Sequence, residues 1–417
     1  MGERSPALSH GLPNAHRAPR STPGAPPEHL TPSRVLARPP PPPHPGGVHA
    51  PQIEGPLRKL IAGALLCATL GAGGIALSAE ADAGAPGGTV AASHTAAHAG
   101  HSGNAMPVST ASSPDDPDGD GYIPANPPVT GVTPSTQNPP HRYFHEFQAN
   151  CGVTHTAPDD PIVYPQQPGK SHDHTFMGNT TTNANSSTAS LAAGGTTCKA
   201  PGDLSGYWMP TLLNDGKPVL PVGPQTIYYK AGVTDYTSVR PFPKGLRFVV
   251  ANPMQSAAEF RNHPGFVEGW ECGDSFFNTE FPASCPDRPD VQLNIRFQAP
   301  SCWDGKYLDT PDHRSHMAYP VVKAGTNDNI CPTGHPVALP MIEFKMAFPV
   351  NGDMSRVTLA SGSGHSFHYD FFNAWDDATL KALVDHCVVG GLQCDARGYD
   401  QTHPEAGAAL DENYRLP

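Results

Sequence analysis

The spacing of the cysteines is the strongest constraint on how this chain can fold. The sequence holds nine cysteines, and all but Cys67 lie between residues 151 and 394. An even set of cysteines behind an export signal is typical of a disulfide framework. Zinc binding is the alternative, but no C-x-x-C pair occurs. Short spacings favour the pairs Cys272–Cys285, Cys302–Cys331 and Cys387–Cys394. The two remaining cysteines give the fourth predicted pair, Cys151–Cys198.

The N-terminal third of the chain carries two segments that we do not expect in the folded domain. Residues 1–56 are rich in proline and poor in aliphatic side chains, so they cannot bury enough apolar surface to fold and are predicted to be a disordered leader. In residues 57–83, Arg58 and Lys59 precede a long uncharged stretch that ends before an Ala-x-Ala site. This pattern predicts a cleaved signal peptide and an extracellular protein; a membrane anchor with the domain facing outside is the alternative. The signal's internal position raises the hypothesis of a later start codon.

Residues 84–140 are dominated by small residues, threonine and proline, and are predicted to be a low-complexity linker. Within them, Asp116, Asp118 and Asp120 are spaced like the first ligands of a calcium loop, with Gly121 at the sixth position. Pro127 stands where the loop needs a bidentate glutamate, so an acidic turn is the alternative.

The folded domain is predicted to span residues 141–398, followed by a C-terminal tail at 399–417. Short segments that alternate apolar and polar residues, separated by Pro- and Gly-rich turns, are typical of β-strands. We predict a mainly β single domain, a β-sandwich or jelly roll with long loops. The strands expected from this pattern cover residues 226–229, 246–250, 292–297, 341–346 and 356–359.

One helix is predicted near the C-terminal end of the domain. Asp376 or Asp377 can cap its first turn, and Gly390 with Gly391 would end it. The apolar side chains that would share its buried face are those of Leu380, Leu383, Val384 and Cys387.

The charge of the chain excludes some partners. The formal net charge is −12, which argues against nucleic acid and anionic membrane surfaces. We therefore expect no nucleic-acid partner, and no stable membrane partner once the signal is cleaved. The sequence also lacks a P-loop and a dinucleotide-binding fingerprint.

Three histidine-bearing segments hold the residue types of a metal or acid–base site. His172 and His174 are two residues apart, so in an extended segment both rings point to one face and can bind one ion. His368 and Asp370 share this spacing, and His316 could supply a third imidazole. We predict a site of His172, His174 and His316 for a divalent metal, with zinc, copper, manganese or iron as suitable ions. The alternative is that these histidines only brace loops.

Carboxylates and aromatic rings near these segments suggest chemistry on a sugar. Asp304 and Asp370 could act as acids or bases beside the histidines, although Asp304 precedes Gly305 and could simply hold a turn. Aromatic faces commonly stack on sugar rings, and we predict Trp208, Trp303 and Tyr307 as surface residues that bind substrate. The catalytic set predicted from these segments is His172, His174, Asp304, His316, His368 and Asp370.

Several motifs together resemble the secreted DUF1996 family, a domain of unknown function. The resemblance rests on Ser171–His174, on Asp203–Pro210 and on the long segment from Cys302 to Pro320, and ends with His368–Asp370 and Trp375. It covers about residues 140–395 and implies an exported, disulfide-rich domain. The resemblance implies no reaction. Tyr369 departs from the family pattern, in which a small residue often stands at that position.

We therefore expect an extracellular carbohydrate-active enzyme with a His/Asp site that holds a divalent metal. The alternative is a non-catalytic protein that binds a polysaccharide or a glycan of the cell envelope. A third interpretation makes the histidine segments purely structural.

Overall fold

The computed structural model describes residues 112–272 and 275–416. The predicted leader (1–56), the predicted signal (57–83) and residues 84–111 of the predicted linker lie outside the described residues. None of the described helices is long and apolar enough to cross a membrane.

The described residues are mainly β, as predicted. The strands are β1 (Ile123–Pro124), β2 (Glu146–Gln148), β3 (Val153–Ala157), β4 (His174–Gly178), β5 (Gly206–Pro210), β6 (Leu212–Asn214), β7 (Lys217–Val219), β8 (Thr226–Ala231), β9 (Arg247–Val250), β10 (Phe266–Cys272), β11 (Ser275–Asn278), β12 (Ser284–Cys285), β13 (Leu293–Gln298), β14 (Cys302–Trp303), β15 (Tyr307–Asp309), β16 (Met317–Ala318), β17 (Val321–Val322), β18 (Asn329–Ile330), β19 (Val337–Ala338), β20 (Pro340–Phe348), β21 (Gly352–Asp353), β22 (Val357–Leu359) and β23 (Tyr369–Phe372). All five segments predicted as strands are confirmed.

Two larger sheets form the body of the domain. One has six strands in the order β11-β10-β13-β20-β8-β2, and the other has five in the order β3-β4-β5-β23-β9. Every pairing in these sheets is antiparallel. The short strands pair in sheets of two or three along the connecting loops. This is the packing of many short strands with long loops that the sequence predicts.

The two sheets share one hydrophobic core. Side chains from the inner face of the five-stranded sheet, such as Tyr207 and Tyr369, meet Phe344 of the six-stranded sheet. The ring centroids of Phe344 and Tyr369 are 4.2 Å apart, and those of Tyr207 and Phe344 are 5.9 Å apart. Because alternate residues of a strand point to opposite faces, the outer face of each sheet is left for other contacts.

The helices in the described part of the chain are few and short. They are α1 (Thr188–Ala192), α2 (Ala257–Asn262) and α3 (Asp377–Leu383), and α3 continues as a π-helical turn at Val384–Val388. The predicted C-terminal helix is confirmed, and the Asp376 side chain caps it by accepting from the Thr379 N–H. Two short helices were missed, although Ser256 and Glu259 form a capping box at the start of α2 that the sequence pattern could have indicated.

The four predicted disulfides are confirmed. The structure joins Cys151–Cys198, Cys272–Cys285, Cys302–Cys331 and Cys387–Cys394. The bonded cysteines are between 7 and 47 residues apart in the sequence. Each bond therefore joins segments that are close along the chain and braces the connection between them.

Residues 112–140 pack against the domain, where the composition led us to expect a linker. Ile123 is buried in β1, which pairs with β15, and Asp115 accepts a hydrogen bond from Arg247 at 2.6 Å. The approach is close at Gly305, since a Cβ there would lie 2.4 Å from the Val129 carbonyl oxygen. The predicted tail at 399–417 also belongs to the folded body as far as residue 416, because Leu410 is buried in the main core.

Candidate functional site

The outer face of the five-stranded sheet carries most of the predicted site. His174 begins β4, Asp370 lies in β23, and both strands pair with β5 between them. Trp208 of β5 is paired with Phe176 on one side and with Asp370 on the other. Because directly paired residues share a face, the polar group at Asp370 lies on the same face as Phe176 and Trp208. That face is covered by a small second core, which includes Ile162 and Val163 from the loop before β4.

Three histidine side chains meet beside this second core. The ring centroids of His172 and His174 are 4.3 Å apart, and His368 lies 5.0 Å from His172 and 5.7 Å from His174. One ring nitrogen of each residue lies within 4.8 Å of the other two. In a tetrahedral site with metal–nitrogen bonds of about 2.1 Å, ligand nitrogens are about 3.4 Å apart. The three imidazoles therefore lie close enough together to be candidate ligands of one ion.

Backbone carbonyls fix the tautomers of two of these rings. Nδ1 of His174 donates to the Asp159 carbonyl oxygen at 2.9 Å, and Nδ1 of His368 donates to the Ser366 carbonyl oxygen at 2.9 Å. A carbonyl accepts only, so each Nδ1 carries the proton and each Nε2 keeps a free lone pair. Nε2 of His174 and Nε2 of His172 are buried and meet no hydrogen-bond partner within the described ranges. A hydrogen bond from one ring nitrogen to a backbone carbonyl is common in histidines that bind a metal through the other nitrogen.

The three imidazoles are held in the neutral form that binds metals. Burial lowers the pKa of His172 to about 4 and that of His368 to about 3. Burial, together with the neighbouring His172 and His368, holds the pKa of His174 well below its ordinary value. Burial removes water from a charged ring without replacing its hydration, which disfavours the imidazolium.

Two buried carboxyl groups extend the cluster from His174. One oxygen each of Asp160 and Asp370 lies within 4.8 Å of the other and of a His174 nitrogen. Both Asp370 oxygens are buried and find no hydrogen-bond partner in the described part of the chain. Burial and the neighbouring Asp160 hold the pKa of Asp370 well above its ordinary value. A buried carboxyl without a partner is costly, so its position beside free imidazole nitrogens indicates a site that receives a ligand.

Asp160 is held by the backbone of its own turn. Its Oδ1 accepts from the N–H groups of Ile162 and Val163, each at 3.0 Å. Burial raises the pKa of Asp160 to about 6, against these two hydrogen bonds and the nearby His313. The turn therefore fixes the second carboxyl beside Asp370.

One cation lies near the cluster. Arg314 donates to the Ala251 carbonyl oxygen at 3.2 Å and interacts electrostatically with Asp370, whose pKa it lowers against the effect of burial. It also contributes to the low pKa of His368, after burial and His172. Arg314 thus adds positive charge on the side of the cluster formed by β23.

His316 does not join the cluster. Its Nδ1 is hydrogen-bonded to the Thr310 hydroxyl at 3.0 Å, and its Nε2 to the Arg247 carbonyl oxygen at 2.8 Å. Since both nitrogens are engaged and the ring is fully buried, the expectation that His316 is a metal ligand or base is corrected: it braces β9 against the 310–316 loop. His368 is the third histidine of the cluster, in the position that was predicted for His316.

Asp304 also lies outside the cluster. Its Oδ1 accepts from the backbone N–H groups of Lys306 and Tyr307, at 2.7 and 3.1 Å. The catalytic role expected for Asp304 is therefore corrected to that of a turn residue, which the Asp-Gly pair already suggested as the alternative.

Two of the predicted sugar-binding aromatics are buried. Trp208 lies in the second core and Trp303 in the main core, so neither can stack on a ligand at the surface. The indole N–H of Trp303 donates to the Tyr307 carbonyl oxygen at 2.6 Å. Tyr307 is only partly buried and contacts the exposed Tyr122, with ring centroids 5.1 Å apart. Of the three, Tyr307 alone keeps the surface position that the prediction requires.

The acidic segment at Asp116 forms a tight turn. Asp116 accepts from the N–H groups of Gly119 and Gly121 at 3.1 and 3.0 Å, and Asp120 accepts from the N–H of Tyr122 at 2.8 Å. Asp116, Asp118 and Asp120 each place one oxygen within 4.8 Å of the others. These contacts are those of an acidic turn, and we assign no ion to them.

The sequence patterns do not indicate Asp160 and Arg314 as site residues. Asp160 stands in an Asp-Asp-Pro segment that reads as a turn, and no spacing connects it to the histidines. Arg314 lies between His313 and His316. Neither of these histidines belongs to the cluster formed by His172, His174 and His368. Only the folding of the loop before β4 onto the sheet brings Asp160 to Asp370.

The comparison with known families supports the resemblance. No curated protein matches the chain, and no solved structure matches it. The family model described as a domain of unknown function (DUF1996) matches residues 160–375. The match begins at Asp160 and contains His172, His174, His368 and Asp370, and it spans more than half of the chain. This chain therefore belongs to the DUF1996 family.

Proposed function

We propose that this protein is an extracellular metal-dependent enzyme, with one divalent metal ion held by His172, His174 and His368. The observation that carries the proposal is the convergence of three neutral imidazoles beside a buried carboxyl that has no hydrogen-bond partner among the described residues. A structural histidine would be expected to use both ring nitrogens, as His316 does. Nitrogen ligands without thiolates suit zinc or copper.

The two neighbouring carboxyl groups, Asp160 and Asp370, would accept and donate protons beside the bound ion. Such an ion, when bound, supplies a Lewis acid that makes water a stronger nucleophile. Asp370 is placed beside His174 to accept a proton from such a water or to orient it, and Asp160 is placed to share that proton. Arg314 stabilises negative charge on Asp370. This division of roles favours hydrolysis over the lytic and oxidative reactions.

Polysaccharide is the substrate class we propose. Four disulfides suit an extracellular setting, and the surface pair of Tyr122 and Tyr307 offers aromatic faces to a sugar ring. The negative net charge of the chain disfavours polyanionic substrates.

A non-catalytic protein that binds a glycan or the cell envelope is the second candidate. It is favoured by the burial of the site, because His174 and His368 are almost inaccessible to solvent and only His172 is partly exposed. A metal enclosed in this way would stabilise the fold without reaching a polymer.

The first test is the metal content of the secreted protein, made without a polyhistidine tag and analysed by mass spectrometry. We expect about one zinc or copper ion per chain, lost in the His172→Ala/His174→Ala double variant. His141→Ala is the control, because His141 is exposed and outside the cluster. Equal metal in all three proteins, or none in the wild type after dialysis against each ion, would overturn the metal site.

The second test separates the enzyme from the binding protein. Wild-type protein loaded with metal is incubated with a panel of neutral polysaccharides, and new reducing ends or unsaturated products are measured. Turnover that disappears in Asp370→Asn while the metal is retained supports the enzyme. Metal binding without any turnover on the panel would favour the second candidate.

A further inference from the structure

A second site lies on the outer face of the six-stranded sheet. A cleft of about 530 Å³ opens there, between β8, β20 and the segment that leads into β2. Its lining includes Tyr143, Tyr228, Glu146, Lys230, Arg296 and Glu343. None of these residues belongs to the cluster of His172, His174 and His368, and none was predicted from the sequence as a site residue. The volume falls within the range of about 300–1,000 Å³ that is usual for ligand pockets.

The floor of the cleft is a fixed network of charged groups. Glu343 accepts from Arg296 Nε at 2.9 Å and from Gln298 Nε2 at 2.6 Å, and it is almost fully buried. Burial works to raise the pKa of Glu343, but these donors and the nearby Lys230 lower it overall. The carboxylate is therefore ionised and held in one orientation, as a rigid hydrogen-bonding group.

Lys230 ties this floor to the wall of the cleft. Its ammonium group lies 3.2 Å from Glu146 and 3.3 Å from Glu343, and 4.5 Å from the centre of the Tyr228 ring. Glu146 in turn accepts from Gln393 at 3.2 Å. Donors and acceptors thus alternate across the cleft, and the side chains of Lys230 and Arg296 stay 22% and 30% exposed.

The charges that line the cleft nearly cancel. The lining holds two acidic side chains, Glu146 and Glu343, and three basic ones, Lys230, Arg296 and Lys345. Arg296 also pairs with Glu268 at 2.9 Å. A cleft with balanced charge has no strong preference for an anion or a cation, so it suits an uncharged ligand that carries many donors and acceptors.

Aromatic faces stand at the rim of this polar floor. The Tyr143 side chain is 83% exposed and packs edge-on against Phe144, with ring centroids 4.7 Å apart. Tyr228 is partly exposed on the sheet itself. An exposed aromatic ring beside fixed hydroxyl-binding groups is the combination that grips a sugar, whose ring has an apolar face and a polar edge.

We propose that this cleft binds a segment of an uncharged oligosaccharide. Its hydroxyl groups would accept from Lys230 and donate to Glu146, while Tyr143 and Tyr228 pack on the sugar faces. The inference deepens the carbohydrate part of the proposed function, but it does not depend on a metal ion or on turnover at the histidine cluster.

The test is binding of defined oligosaccharides to the secreted protein, measured by isothermal titration calorimetry. The probes are cellohexaose, laminarihexaose and chitohexaose, with hexagalacturonate as the anionic comparison. We expect at least one neutral hexasaccharide to bind, and binding to weaken by about tenfold in Tyr143→Ala, as loss of an aromatic stacking contact would produce. Lys230→Met should weaken it further by removing a donor. Tyr399→Ala is the control, since Tyr399 is an exposed tyrosine outside the cleft.

The two proposals fail separately in this design. Unchanged sugar binding by the His172→Ala/His174→Ala variant and by protein treated with EDTA supports the cleft as an independent site. The proposal is overturned if no neutral hexasaccharide binds, if hexagalacturonate alone binds, or if Tyr122→Ala abolishes binding while Tyr143→Ala does not. Because Tyr143 is highly exposed, its loss is not expected to disturb the fold, and equal melting temperatures confirm this.

Discussion

The Nδ1 atom of His174 donates a hydrogen bond to the backbone carbonyl oxygen of Asp159 across 2.9 Å. This contact fixes the proton on Nδ1 and leaves the lone pair of Nε2 directed away from the loop. The carbonyl belongs to the residue before Asp160, whose side chain lies beside Asp370. One turn therefore orients His174 and supplies a carboxyl to the same cluster, which explains why His174, Asp160 and Asp370 meet although Asp370 is distant in sequence.

Binding of zinc should stabilise the wild-type protein against heat. A ligand that binds only the folded state at about 100 times its dissociation constant adds about 2.7 kcal/mol to the free energy of unfolding. We expect the melting temperature to rise on addition of zinc, and the rise to be absent in His172→Ala/His174→Ala. Differential scanning calorimetry measures both, with His141→Ala as the control that must behave as wild type. An equal rise in the double variant would place the bound zinc elsewhere.

Asp370→Asn should raise the stability of the metal-free protein. The carboxyl is fully buried, close to Asp160, and has no hydrogen-bond partner among residues 112–272 and 275–416. Because the pKa of Asp370 is held well above its ordinary value, folding near neutral pH requires this carboxyl to take up a proton, which costs stability. An amide needs no such proton, so the substitution should add about 1 kcal/mol to the free energy of unfolding, measured by urea denaturation in EDTA. Lower stability of the variant would show that Asp370 is already satisfied without a metal.

The sequence was sufficient for most of the fold because alternation and cysteine spacing are local signals. The five predicted strands and the capped helix α3 appear where they were expected, and so do the four disulfides. Residues 84–140 were predicted to be a linker because small residues, threonine and proline dominate their composition. The structure shows instead that residues 112–140 are attached to the domain by specific contacts, among them the burial of Ile123, the pairing of β1 with β15 and the ion pair between Asp115 and Arg247.

The candidate site could be predicted only in part. His172 and His174 share a face because of their spacing, and His368 and Asp370 do so for the same reason. Spacing does not reveal which strands become neighbours, so it could not separate His368, which reaches the cluster, from His316, which is used by Thr310 and Arg247. Trp208 and Trp303 were misplaced for a related reason: a large aromatic beside polar residues can equally be core.

Asp400→Asn should destabilise the protein at neutral pH and have less effect in acid. Burial opposes ionisation, but hydrogen bonds from Thr402, Gln393 and His403 lower the pKa of Asp400 overall. A carboxyl whose pKa is lower in the folded state than in the unfolded state stabilises the folded state at pH values above its unfolded pKa. This contribution is lost as the pH falls toward the folded pKa. Urea denaturation at pH 7, 5 and 3 should show the difference from wild type shrinking toward pH 3. Asp215→Asn is the control, because its pair with Arg356 is exposed and contributes little.

The disulfides should differ in their contribution according to the loop that each closes. Cys151 and Cys198 are 47 residues apart, whereas Cys387 and Cys394 are 7 apart. Loss of chain entropy in the unfolded state predicts about 4.0 kcal/mol for the longer loop and about 2.4 kcal/mol for the shorter. Replacing each pair by alanine and measuring unfolding in guanidinium checks the order. A larger loss from the shorter loop would mean that packing around Cys387 outweighs the entropy term.

Asp115→Ala should destabilise the domain strongly, although Asp115 lies in the segment predicted to be a linker. Arg247 is 1% exposed, and Asp115 accepts from its Nη2 at 2.6 Å. Removing the carboxylate leaves the buried guanidinium without its counter-charge, a change that costs about 3 kcal/mol or more. Chemical denaturation measures the loss. The control is Asp118→Ala, an exposed aspartate in the same segment, which should change the free energy of unfolding by no more than about 0.5 kcal/mol. If Asp115→Ala also unfolds like wild type, residues 112–140 do not stabilise the domain.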